Sequence, residues 1–308
     1  KLCYKIEDPK RQCFLSGLHN RQAVFLAKQN SFDSLQLAWK EYAEASDILS
    51  PLLESLSQWD EDDRDSILRQ DAQNRVDYAI DSRVHGKNVL TNLLEDGVKL
   101  VKSRIDEHRS SALRDSLLAL YTELLISCQS AGDYPKSIVY GDLALKLSEE
   151  LLTEEAAPAH RQARMKVLLN YAYSLNGAYR YPYHEEYLML SRQACADYPD
   201  SLEYREKLAY ALCLFAYSAD QAIKKPSSDM TTGLLADLLH KSEECWKEGL
   251  ELYDDVLETI PEESDKIRIT HSIVYYCAAK SITELKRGCC KKALSSALRG
   301  LELADRYW

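Results

Sequence analysis

The sequence predicts an all-α fold, an irregular array of paired helices, and three observations carry the prediction. Apolar residues recur at three- and four-residue spacing along nearly the whole chain, and no convincing stretch of strict alternation interrupts them. Ten glycines and eight prolines are few for 308 residues, which argues against a loop-rich or sheet-rich chain. Hydrophobic residues at 45% beside charged residues at 29% are the balance of a soluble globular chain that can bury one or two cores.

Taken in order, "FDSLQLAWKEYAEASDILSPLLESLSQW" reads as a long helix capped by Asp33 or Ser34. Leu35, Leu37, Ala38, Tyr42 and Ala45 supply its apolar positions, and Pro51 is expected to end or kink it. "DEDDRD", from Asp60 to Asp65, opens the next helix, where carboxylates complement the positive end of the helix dipole; a site for a basic partner is the alternative reading. That helix runs to "RVHGKN", where Gly86 breaks it. A further helix covers "VLTNLLEDGVKLVKSRI", and Ser110 and Ser111 separate it from "ALRDSLLALYTELLISCQSAGDY". Residues 1–110 are therefore expected to form a bundle of long helices and residues 111–308 a run of helix–turn–helix units packed against it.

The clearest unit is "LLALYTELLISCQSAGDYPKSIVYGDLALKLSEELL". Tyr121, Leu124, Leu125 and Cys128 mark one apolar face, "AGDY" makes the turn, and Ser137, Gly141 and Ala144 give the return helix a small-residue face. A second unit starts at Leu168, with Tyr171 early, Pro182 in the turn, Tyr187 at an expected alanine, Ala194 late and Pro199 closing it. "SLEYREKLAYALCLFAYSAD" begins near Ser201, and its return helix spans roughly Leu234 to Leu257. The last unit turns at Gly288 and carries Ala293, Ala297 and Gly300 on its small face. The arrangement resembles the tetratricopeptide repeat over roughly residues 110–308, departing from it where Leu125 and Ser137 replace the usual glycine and alanine. The resemblance implies a right-handed solenoid with a concave groove that binds a peptide or partner helix.

"NYAYSLNGAYRYPYHEEY", Asn170 to Tyr187, holds six of the chain's 20 tyrosines, against four phenylalanines in all. Tyrosine joins a large apolar body to a polar tip and suits a half-buried or binding surface. By the resemblance, Tyr173, Asn176, Tyr179 and Arg180 line the groove while Tyr171 packs into the core; Tyr210 and Tyr217 follow on the next unit, and Tyr275 or Tyr276 on the last. Tyr173, Asn176 and Arg180 also stand at mutual three- and four-residue spacings, so one continuous helix would place them on one face. Aromatic area at low entropic cost, with donors for backbone carbonyls, suits an extended peptide. The competing reading is that the tyrosines fill the packing between helices and wet their hydroxyls. Asn176 matches one place of the clamp by which some family members hold a free C-terminal carboxylate, but Thr122, Glu123 and Ile126 stand at groove places of the preceding unit and leave that clamp incomplete.

A net charge of −10 argues against nucleic acid as partner. No apolar run approaches the roughly 18 to 20 residues of a membrane span, and "KLCYKIEDPK" lacks the apolar core of a secretory signal. Phosphate-binding loops, dinucleotide turns and nucleophile elbows are missing, and "HEEYL" lacks the second histidine of a zinc-protease helix; His184 reads as a first-turn residue beside Glu185 and Glu186. No enzyme activity and no cofactor are expected. Nine cysteines without a C-x-x-C pair, and no N-x-S/T sequon, point to reduced thiols in the cytoplasm or nucleus. A zinc site at His271, Cys277, Cys289 and Cys290 is disfavoured, since adjacent cysteines on a helix point about 100° apart. Lys280, Lys286, Arg287, Lys291 and Lys292 form one basic cluster, either a solvated helix end or a patch for an anionic partner. The start at Lys1 reads as a fragment or a processed form, and the end in "LELADRYW", without a capping helix of polar outer face, fits a fragment. The expected function is a non-enzymatic interaction scaffold for a protein or peptide partner; the alternatives are a regulatory helical domain of a larger protein and a peptide or small-molecule sensor.

Overall fold

The computed structural model describes residues 8–86, 90–107, 110–175, 177–228 and 230–307. Among the described residues the chain is helical and holds no strand. The first six helices are α1 (Pro9–Lys28), α2 (Phe32–Glu54), α3 (Glu61–Val84), α4 (Thr91–Glu107), α5 (Ser111–Ser130) and α6 (Tyr134–Glu154). The second six are α7 (Pro158–Ser174), α8 (Tyr181–Asp197), α9 (Leu202–Lys224), α10 (Thr232–Thr259), α11 (Glu263–Lys286) and α12 (Cys290–Tyr307).

The helix starts are dictated locally. The side chains of Asp8, Ser31, Asp60, Ser110, Asp133, Ser201 and Thr231 each accept a hydrogen bond from a first-turn amide. The cap of α2 is thus Ser31 rather than Asp33 or Ser34; Ser34 closes a reciprocal capping box with it. Pro51 does not end α2, which continues to Glu54. So close to the helix end, the missing amide costs a single bond, and the Ser55 hydroxyl donates to the Pro51 carbonyl at 2.7 Å. Gly132 and Gly288 make the hairpin turns at φ 76° and 77°, a conformation that strains any residue with a Cβ.

The helices part into two compact units at Ala156/Ala157, not at residue 110. The reason lies in α5, which packs on α3 and α4 as well as on α6. Glu123, almost fully buried on α5, accepts from Arg83 of α3 at 3.0 Å, and Arg104 of α4 donates to Asp65 of α3 at 3.1 Å. Thr122 and Glu123, groove places by the family resemblance, are core residues of this unit. Leu49, Leu52 and Ile67 anchor its core, with Trp59 against them.

The second unit is built of three hairpins, α7–α8, α9–α10 and α11–α12, with α8 also packed on α9 and α10 on α11. Small residues let the paired helices approach. A Cβ on Gly249 of α10 would stand 2.8 Å from the Cys213 sulfur and 2.9 Å from Leu212 Cβ on α9; one on Gly300 would stand 3.2 Å from Cys277 Cβ. Asp220 on α9 joins three helices. Buried, it accepts from Trp246 Nε1 at 2.8 Å, from the Ser242 hydroxyl, and from Arg287 at 2.6 Å.

Candidate functional site

The site begins where α7 stops. Leu175 leaves the helix in extended backbone (φ −96°, ψ 157°), Gly177–Tyr179 make one 3-10 turn, and Pro182 in the first turn of α8 starts the return helix. Arg180 clasps this break, its Nε donating to the Leu175 carbonyl at 2.9 Å. Tyr173 in the last turn of α7 is thereby brought beside Arg180 at the N-cap of α8 and His184 in its first turn. From α9 come Tyr210, Leu214, Tyr217, Ser218 and Gln221, whose spacings of three, four and seven put them on one helix face. From α11 come His271, Ser272, Tyr275 and Tyr276. Together these segments enclose a cavity of about 450 Å³ within the second unit. A larger hollow of about 730 Å³ in the first unit is lined mainly by polar and charged side chains of α1 and α3 and lacks this aromatic wall.

The tyrosines form a connected set. The hydroxyls of Tyr173 and Tyr210 share a hydrogen bond at 3.0 Å. Tyr210 meets Tyr276 edge-on, with ring centres 6.2 Å apart, and Tyr276 in turn meets Tyr253 and Trp246. Burial pushes the phenols of Tyr210, Tyr276 and Tyr275 above the ordinary tyrosine range, so they stay protonated and able to donate. The Arg180 guanidinium lies 6.0 Å from the centre of the Tyr173 ring and pairs with no carboxylate among the described residues.

His184 is 2% exposed, and neither ring nitrogen has a hydrogen-bond partner among the described residues. Burial, with a smaller contribution from the Arg180 charge, pushes its pKa down to about 4, so the imidazole is neutral at physiological pH. No aspartate or glutamate is among the described residues lining the cavity, although the chain carries 49 of them.

Of the expected groove residues, the structure gathers Tyr173, Arg180, Tyr210, Tyr217 and Tyr275 around this one cavity. Tyr179 is not among them: it sits on the 3-10 turn, 56% exposed. Asn176 lies outside the described residues. The single helix face expected for Tyr173, Asn176 and Arg180 does not exist, because α7 ends at Ser174; a chain reversal, not helical periodicity, joins Tyr173 to Arg180. Tyr171 is buried as expected. Ser218 and Gln221 are not singled out in the sequence, where His184 reads only as a first-turn residue and His271 only as a disfavoured zinc ligand. Gln221 follows Tyr217 at the four-residue spacing, a signal that was there to extend, whereas nothing local marks His184 as buried.

The basic cluster is partly structural. Arg287 pairs with the buried Asp220 and faces Glu243 at 3.9 Å, and Lys292 lies 4.0 Å from the same Glu243. Glu185 and Glu186, beside His184, pair with Lys241 and Arg164. Among the described residues no group of three or more His, Cys, Asp or Glu side chains is placed to hold a metal ion, and no helix is long and apolar enough to cross a membrane.

No protein-family model matches the chain, and no curated protein matches it. Among solved structures it is similar to a circular tandem repeat protein with a novel repeat topology and enhanced subunit contact surfaces, at 13% identity and a TM-score of 0.37, over 97% of this chain and 72% of that one. It is also similar to a de novo designed helical repeat protein, at 14% identity and a TM-score of 0.27, over 82% of this chain and 98% of that one. At these scores neither likeness bears on what the cavity does.

Proposed function

We propose that the protein is a non-enzymatic interaction module, a helical-hairpin scaffold of the tetratricopeptide kind, that takes a segment of a partner protein into the tyrosine-lined cavity of its second unit. The observation that supports this most is the convergence of Tyr173, Tyr210, Tyr217 and Tyr275, from three separate helices, and of Arg180, from the N-cap of a fourth, on one hollow. Rigid aromatic rings with protonated hydroxyls give contact area and hydrogen bonds at little entropic cost, as recognition surfaces require. Binding rather than chemistry is supported by the hydroxyls present: burial holds the phenols of Tyr210, Tyr275 and Tyr276 protonated, and Ser218 donates back to the Phe215 carbonyl at 2.9 Å. The described cysteines are unpaired, in keeping with a reducing intracellular compartment. A second reading, a small-molecule sensor, is favoured by the cavity volume, which lies in the range of about 300 to 1,000 Å³ usual for small-ligand sites.

Selection from a displayed library of random peptides tests the proposal. Tyr217→Ala and Tyr275→Ala are expected to abolish capture of the selected peptides, by about 2 kcal/mol or more each, while shifting the melting temperature little. Tyr171→Ala, a core truncation, is expected to cost about 3 kcal/mol or more of stability. Peptides that bind both cavity variants as well as the parent would overturn the reading.

A further inference from the structure

We propose that the inner end of this cavity is a monoanion subsite, in which Arg180 and His184 hold a carboxylate carried by the segment that enters it. The inference rests on the binding reading above and adds the chemistry of what is bound.

Three observations converge. The cavity wall contains one cation and no acid among its described residues, in a chain of net charge −10. The side chains of the wall itself therefore favour an incoming negative charge. The guanidinium of Arg180 uses only Nε on the protein, through the Leu175 carbonyl, and its remaining donors meet no carboxylate among the described residues. A planar fork with free donors matches the two oxygens of a carboxylate. His184, buried against the same cavity, has two unsatisfied ring nitrogens, and a buried polar group left without a partner is costly unless something fills the role. As a neutral imidazole it offers one N–H donor to an anion.

The charge balance chooses among anions. Arg180 is the wall's one permanent cation, beside the imidazoles of His184 and His271, and it matches a single negative charge. A phosphate monoester, carrying between one and a half and two charges at neutral pH, is ordinarily met by a cluster of cations that this wall lacks. The tyrosine rings of α9 and α11 accommodate the uncharged body behind the carboxylate.

The test uses the whole chain and three probes of one shape: benzoate, benzamide and phenyl phosphate. Binding is followed by titration and by the ring nitrogen resonances of His184. Benzoate is expected to shift those resonances saturably and to bind at least about tenfold more tightly than benzamide, the margin of a charge-assisted hydrogen bond. Arg180→Gln is expected to erase the difference and leave benzamide unchanged; the benzoate–benzamide comparison on the parent protein stands even if that variant unfolds. N-acetyltyrosine and N-acetyl-tyrosyl-aspartyl amide then separate a chain terminus from an acidic side chain as the carboxylate's source. Equal binding of benzoate and benzamide at His184 would overturn the anion subsite and leave the cavity reading intact. Failure of every probe to move His184 would overturn both. Tighter binding of phenyl phosphate than of benzoate would replace the monoanion with a dianion and also overturn the proposal.

Discussion

At the scale of single residues, His184 has a consequence for stability that follows from burial alone. Its pKa falls from 6.5 in an unfolded chain to about 4 in the folded one. Between those values the unfolded chain holds the extra proton, so stability rises with pH across this window. The contribution is complete above about pH 6.5 and is lost as the pH falls to about 4. Two and a half pKa units correspond to roughly 3 kcal/mol. We expect the urea midpoint of the parent protein to drop between pH 6.5 and 4, and His184→Phe, which cannot titrate, to remove most of that slope. An unchanged slope would place the acid sensitivity elsewhere. The same residue marks the limit of what the sequence discloses. A histidine three positions into a helix, next to two glutamates, has every local reason to be solvated. The packing of α7 and α9 on α8, with the Tyr173 ring 6.4 Å from the imidazole, makes it dry, and no periodicity encodes that. Tyr173 and Arg180 were legible as a pair for a reason that does not hold. Their seven-residue spacing suggests one helix face, yet Leu175, Gly177 and Pro182 reverse the chain between them, and the reversal happens to bring them to the same place.

At the scale of elements, the hairpins were the most legible part of the fold, because their signals are local and redundant. Gly132 and Gly288 adopt the positive φ their turns need, and Ser110, Asp60 and Ser201 open helices where caps are expected. Pro51 does not end α2, because a proline's cost depends on how many helical bonds remain after it, and here the helix is nearly over. The small-residue faces make a quantitative prediction. Gly249→Ala would drive a methyl group against Leu212 Cβ and toward the Ala209 carbonyl, 2.9 and 3.2 Å away, where backbone has no room to yield. We expect it to destabilise the protein by about 1 to 3 kcal/mol, as overpacking does. Gly233→Ala, exposed at the start of the same helix with only Thr231 at 4.0 Å, is expected to be nearly neutral or slightly stabilising. Equal effects in thermal melts would mean that α9 and α10 are not in close contact at Gly249.

At the scale of the whole molecule, the division at Ala156/Ala157 was not legible. A boundary is decided by which helices share a core, and the ion pair between Arg83 and Glu123 joins residues 40 positions apart, which no local pattern announces. The cysteines are distributed over both units and give a prediction that spans them. Burial pushes Cys13 and Cys245 up to about 11 and raises Cys128, Cys213 and Cys277 as well, so these thiols carry almost no thiolate at neutral pH. Among the described cysteines Cys290 alone is exposed. A thiol reagent followed by peptide mass spectrometry is expected to label Cys290 far ahead of those five, which should react only as the protein unfolds; early labelling of Cys213 or Cys277 would contradict the packing of the second unit. The tyrosine set described around the cavity also makes the molecule its own optical instrument. Trp246 is 2% exposed, its ring is 6.0 Å from Tyr276, and Tyr276 is within 6.2 Å of Tyr210 and 5.3 Å of Tyr275 at the cavity wall. Excitation absorbed by those phenols can pass to the indole, whose N–H is held by the Asp220 carboxylate in a fixed, dry setting. Whatever enters the cavity touches these donors and not the indole, so occupancy changes how efficiently their light reappears as Trp246 emission, over the contribution of Trp39 beside Tyr42 and Tyr78.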